Sequence, residues 1–155
     1  DDLATFVSHG DQYRPGDDLW KTRNQANLTK TDSQFWSDGM VRVSGRELNG
    51  LLDTPCYQKG EMTCVSCHAM HQEDQDERPA SEWANDQLRV DAIGNGACLE
   101  CHQEYRTDAK LTAHTHHPAN SSGSLCYNCH MPHTSYGLLK AIRSHQISSP
   151  DTHVD

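Results

Sequence analysis

Large apolar side chains are what this sequence has least of. Hydrophobic residues make up 34% of the 155 positions, phenylalanine occurs twice, and the mean hydropathy is −0.84. A chain so composed buries too little of its own surface to offset the conformational entropy lost on folding. That leaves disorder, heavy cross-linking, or an apolar cofactor that fills part of the interior. No apolar run approaches the roughly 20 residues that cross a bilayer, which argues against a membrane span. Positive charge is short as well: 13 Lys and Arg against 22 Asp and Glu give a net charge of −9. An acidic surface keeps a chain soluble and argues against nucleic acid or an anionic membrane as partner. No signal peptide precedes Asp1 and Asp2, so the expectation is that a leader has been removed or that the chain is part of something longer.

Cysteine is absent from residues 1–55 and abundant afterwards, together with most of the 11 histidines. Six of the seven cysteines fall into three C-x-x-C-H pentapeptides: Cys64, Cys67 and His68; Cys98, Cys101 and His102; Cys126, Cys129 and His130. Chance alone predicts roughly 0.02 such pentapeptides at this composition. C-x-x-C pairs also serve zinc sites and thiol redox centres, but neither calls for a histidine directly after every second cysteine. C-x-x-C-H is the attachment site of c-type heme. Two sulfurs bond the two vinyl groups on one porphyrin edge, one turn of chain spans that edge, and the next residue brings an imidazole nitrogen to the iron. Three covalently attached heme c groups are therefore expected. They also answer the shortage of apolar side chains, and each attachment restricts the unfolded chain as a cross-link does. Cys56 belongs to no motif and reads as a structural free thiol, with an intermolecular disulfide as the alternative.

His68, His102 and His130 are then the proximal ligands, and eight histidines remain for three sixth positions. Iron held by histidine on both faces is closed to substrate and changes redox state with little rearrangement, which suits electron transfer. His145 is the first choice, because it shares a face with Leu138 and Ile142 on a helix expected over 136–147. In the stretch A-H-T-H-H-P, His117 ahead of Pro118 is preferred to His116 and His114, although such a tract also reads as an exposed metal scavenger. His71 cannot reach over its own heme but can serve a neighbour. His133 stands at the same offset from His130, behind Pro132. His9 lies on an arm far from any motif, either as a surface histidine or as a ligand given by the arm to this chain or another subunit.

The stretch F-W-S-D-G-M-V-R-V-S-G reads as a hairpin near 35–43 that turns at Asp38 and Gly39. Residues 8–33 read as irregular, Ala97 to about His114 as helix ending before Pro118, and 119–124 as loop. The motifs begin 34 and 28 residues apart, too irregularly for a solenoid. The expected fold is mainly α, with extensive irregular coil and one small β-hairpin, wrapped around three covalent hemes. Residues 1–55 form a heme-free N-terminal arm and 56–155 a triheme cytochrome c domain, together a single compact unit.

From C-H-Q-E-Y at 101–105 to its end, the chain resembles the multiheme cytochromes c related to pentaheme cytochrome c nitrite reductase and other multiheme c-type oxidoreductases. The residues that carry the resemblance are H-H-P at 116–118, C-Y-N-C-H-M-P-H-T-S-Y-G at 126–137 and R-S-H-Q-I-S-S-P at 143–150. Residues 35–71 also look like stretches of larger multiheme cytochromes. In that family a C-x-x-C-H-M-P motif closes the heme series, an upstream histidine ligates an earlier heme, and a later helical histidine ligates another. The resemblance implies His117 for the first heme and His145 for the second. The departure is equally informative: the family's nitrite reductases carry a catalytic heme with a lysine ligand, and no C-x-x-C-K occurs here.

The expected function is electron transfer through three closely packed bis-histidine hemes, without enzymatic activity. Redox partner proteins would dock on the acidic surface. A sharper version makes the chain the subunit of an extracellular filament, a homo-polymer in which the N-terminal arm locks onto a neighbour. The alternative is a reductase of nitrite, hydroxylamine or another small oxyanion, or a domain of a larger multiheme reductase. Heme c is joined to its protein outside the cytoplasmic membrane, which implies a periplasmic or cell-surface location in a prokaryote.

Overall fold

Asp38 and Gly39 turn the chain as the sequence expects. In the computed structural model, which describes residues 2–22, 26, 32–43, 45, 47–136 and 139–150, Phe35 and Val41 face each other as an antiparallel bridge. Gly39 donates to the Trp36 carbonyl at 3.0 Å and Trp36 to that of Met40 at 2.8 Å. Gly39 sits at φ 84°, the left-handed conformation that closes a three-residue hairpin loop. Phe35 and Val41 are buried, and the Trp36 indole reaches 99 residues along the chain to donate to the Ser135 carbonyl at 2.9 Å.

Ahead of the hairpin lie two helices, α1 (Asp2–His9), almost wholly before the stretch expected to be irregular, and the single turn α2 (Leu19–Thr22) within it. Leu3, Phe6 and Val7 of α1 are exposed. After the hairpin, α3 (Glu47–Leu52) and α4 (Pro55–Gln58) meet at Thr54, which is fully buried. Its hydroxyl donates to the Leu51 carbonyl and accepts from the Tyr57 amide, and Pro55 opens α4 where no amide donor is needed. Gly50 on the far side of α3 packs against the backbone of residues 145 and 146. A methyl group at position 50 would come within 2.8 Å of the Gln146 nitrogen.

Downstream, a polar knot takes the place of a core. Arg78 forks onto the Asp76 carboxylate, from Nε at 2.9 Å and from Nη2 at 2.7 Å, and also donates to the Leu88 carbonyl. The guanidinium holds the Asp76 carboxyl below its ordinary value. Helix α5 (Ala80–Asp86) follows.

The long helix expected from Ala97 to His114 is divided. Helix α6 (Gly96–Cys101) stops at His102, whose ψ of 60° leaves the helical region, and α7 (Asp108–Thr115) starts afresh. The break has two local causes. The Arg106 side chain donates to the Leu99 carbonyl and so caps the end of α6. Thr107 with Asp108 forms a new helix start, its hydroxyl accepting from the Lys110 amide. Helix α8 (Cys126–His130) comes next.

The helix expected over 136–147 does not form. Strands β1 (His133–Tyr136) and β2 (Lys140–Arg143) pair antiparallel in that region, with Thr134 opposite Ile142; Leu138 of the expected apolar stripe lies outside the described residues. The strand pair returns Arg143 to α8, where its guanidinium donates to the Tyr127 and Met131 carbonyls at 2.8 and 2.9 Å and lies over the Tyr127 ring. Carbonyls at a helix end need such partners, and a helix through 143 would forgo them. Among the described residues the buried apolar side chains are Phe35, Val41, Leu51, Ala92 and Leu111. No helix among them is long and apolar enough to cross a membrane.

Candidate heme centres

Each C-x-x-C-H pentapeptide forms one tight turn. The His68 amide donates to the Cys64 carbonyl and the His102 amide to that of Cys98, both at 2.9 Å, and the third pentapeptide is α8 itself. One helical turn sets positions i, i+3 and i+4 on a common side, so both sulfurs and the imidazole leave the backbone together. Cys64, Cys101 and Cys129 are exposed, and Cys67, Cys98 and Cys126 are half-buried.

The histidines of the first and third turns are oriented alike. His68 Nδ1 lies 2.9 Å from the Asp86 carbonyl, and His130 Nδ1 lies 2.8 Å from the Ser148 carbonyl. A carbonyl only accepts, so Nδ1 carries the proton and Nε2 keeps a free lone pair. This is the usual arrangement of a metal-ligating histidine. In each case the acceptor stands 18 residues further along the chain. His102 differs, with its Nδ1 3.5 Å from the Glu104 carboxylate and both side chains largely exposed.

Two of these imidazoles have a second imidazole opposite. The His68 and His145 rings are 6.2 Å apart between centroids, with planes 25° from parallel. The His114 and His130 rings are 6.0 Å apart and 2° from parallel. By contrast Tyr105 stacks directly on His114 at 4.5 Å. Two imidazoles that ligate one metal from opposite sides, through bonds of about 2 Å, have ring centres roughly 6 Å apart. The centre-to-centre distances of both histidine pairs match that spacing. Burial pushes the pKa of His145 down, which keeps its ring neutral and able to ligate.

Other observations fit the same group. The indole N–H of Trp83, on the helix whose last residue holds His68, is buried without a partner among the described residues. A protein rarely leaves such a donor unsatisfied, and a porphyrin carboxylate is the kind of acceptor it lacks. Among the described residues no three Cys, His, Asp or Glu side chains converge on a point that would hold a bare metal ion. Histidines in facing pairs suit an iron that already has four porphyrin nitrogens, whereas structural zinc takes four protein ligands.

The remaining candidates fall differently from the sequence preference. His114, not His117, faces His130; the His117 ring covers Gly123, where an added Cβ would come within 2.5 Å of it. His145 faces the first motif rather than the second. His116 ends α7 in the left-handed conformation at φ 60° and is exposed, as are His9, His71 and His133. Among the described residues no imidazole stands opposite His102. The signal for His114 lies in the start of α7: from Thr107, the buried Leu111 and His114 fall three apart on one helix face.

The sulfurs of different motifs also lie close together. The Cys98 and Cys126 thiols are close enough to couple their ionisation, and Cys67 and Cys56 are close enough to act on Cys98 electrostatically. That coupling eases the first ionisation of the Cys98 and Cys126 pair and hinders the second. No protein-family model, curated protein or solved structure matches this chain.

Proposed function

We propose that this chain is a triheme cytochrome c that transfers electrons, with His68 and His145 as the axial pair at the first motif and His130 and His114 as the pair at the third. The observation that carries it is the spacing of the two imidazole pairs, 6.2 and 6.0 Å, each including the histidine of a C-x-x-C-H turn. When bound, heme c supplies a one-electron ferric/ferrous couple at each motif. The cysteines would anchor each ring, the Asp86 and Ser148 carbonyls would orient His68 and His130 through Nδ1 so that Nε2 is free to ligate, and the paired imidazoles at the first and third motifs would close those irons to substrate. The acidic surface would dock a basic redox partner outside the cytoplasm.

Intact mass, a pyridine hemochrome assay and low-temperature EPR test this together. The expected result is three hemes per 17.4 kDa chain, with low-spin signals at the first and third motifs. His145→Ala and His114→Ala should each convert one of those signals to high spin while heme content stays at three. A bare chain, or one carrying zinc, would overturn the proposal.

The second motif favours a second reading. With no described imidazole opposite His102, its sixth position falls to His71, His117, another histidine of this chain, or the His9 arm of a neighbouring copy. An iron left open there would instead take a small oxyanion, and a high-spin signal that nitrite displaces would favour a reductase. The exposed Leu3, Phe6 and Val7 on the arm favour the filament version, with a second copy as the occupant. Electron microscopy distinguishes filaments from single particles.

A further inference from the structure

Residues 89–96, R-V-D-A-I-G-N-G, touch all three attachment turns. At one end the Arg89 amide donates to the Cys67 carbonyl at 3.0 Å, and its guanidinium donates to the carbonyls of Val65 and Ser66 at 3.3 Å. Asp91 holds that guanidinium from the other side, and Glu100 of the second motif lies 4.0 Å from it. In the middle, Ala92 is buried, and Gly96 passes so close to the Asp91 carbonyl that a Cβ there would overlap it. At the other end stands Asn95, the residue before α6.

Asn95 bonds the third motif through both ends of its amide. Its Nδ2 donates to the Ser124 carbonyl at 2.7 Å, and its Oδ1 accepts from the Cys126 amide at 2.9 Å. Ser124 is fully buried, and its hydroxyl meets that of Thr115 at 2.8 Å and donates to the His117 carbonyl. One amide thus ties the start of the second attachment turn to the start of the third, and through Thr115 to the end of the helix that presents His114.

We infer that residues 89–96 act as a rigid spacer that fixes the three heme-attachment turns relative to one another, with the second between the first and third, and that Asn95 is the positioning residue for the second and third. The inference rests on the heme reading above. The spacer works because its bonds run to backbone atoms of the motifs, which no side-chain rotation can shift. Asn95 is suited to the task because its amide donates and accepts in one plane, so that residues 124 and 126 are held together.

The test is EPR of the fully oxidised holoprotein, wild type against Asn95→Ala, with intact mass as the control. In the wild type, neighbouring irons should broaden each other's signals by spin–spin interaction. In Asn95→Ala three hemes should remain attached while the broadening between the second and third is lost and that between the first and second persists. Arg89→Ala should give the converse pattern. Asn95→Asp, which keeps the acceptor for the Cys126 amide but turns a carboxylate oxygen to the Ser124 carbonyl, should resemble Asn95→Ala and serves if the alanine variant fails to fold. An Asn95→Asp or Asn95→Ala protein with three hemes and unchanged coupling would overturn the spacer. So would coupling that links the first and third hemes but bypasses the second. A wild type without heme would instead remove the reading on which the inference stands.

Discussion

Residues 35–58 and residues 63–150 exclude water by different means. The shorter region contains Phe35, Val41 and Leu51, three of the five buried apolar side chains among the described residues, together with the buried Thr54 cap. The longer region, with all three C-x-x-C-H turns, contributes only Ala92 and Leu111. What it has instead are carbonyl-to-side-chain bonds, the Asp76 and Arg78 fork, and two imidazole pairs 6.2 and 6.0 Å apart between ring centres. The first region follows ordinary rules of hydrophobic burial, whereas the second buries few apolar side chains of its own, and the proposed hemes would supply the apolar bulk there.

The contrast breaks most directly by removing one heme. Cys126→Ala with Cys129→Ala should leave two hemes by intact mass, and hydrogen exchange should show loss of protection across α7, α8 and the β1/β2 pair. Protection over 35–58 should persist. Equal loss in both regions would mean that they form one cooperative unit. A smaller effect is expected from Leu51→Ala, which removes a buried side chain from the conventional core at a cost of about 2–4 kcal/mol. Thermal unfolding should report that loss while the heme count stays at three. The smallest effect is electrostatic and belongs to the polar knot. The carboxyl of Asp76 titrates below its ordinary value of 3.8, so its contribution is fully present above that pH and is lost as pH falls through the lowered value. Exchange over residues 72–90 should therefore quicken below pH 3.8, and Asp76→Asn should make it fast at any pH.

The sequence makes local features legible and leaves cross-chain ones hidden. The C-x-x-C-H turns and the Asp38-Gly39 hairpin depend on residues within a few positions, so spacing and turn chemistry suffice to find them. The helix expected over 136–147 fails because its competitor is distant: Arg143 is drawn to the end of α8 by carbonyls 12 and 16 residues away. His145 keeps its place opposite a motif histidine even so, on an extended segment rather than a helix face. That His114 rather than His117 lies opposite His130 has a subtler reason. The nearby proline suggests a stop, but the helix start at Thr107 sets which histidine lies above Leu111. No pattern in the sequence points to Asn95, whose two bonds span 29 and 31 residues.

Gly50 joins the two regions. Its missing side chain lets α3 lie against the main chain at His145, so the ordinary hydrophobic core forms the wall behind an imidazole that faces the first motif. A single methyl group on that glycine would press on the main chain at residues 145 and 146 and so shift the imidazole that faces His68. If the first motif carries the proposed heme, the heme-free end of the molecule would help to place the imidazole opposite His68.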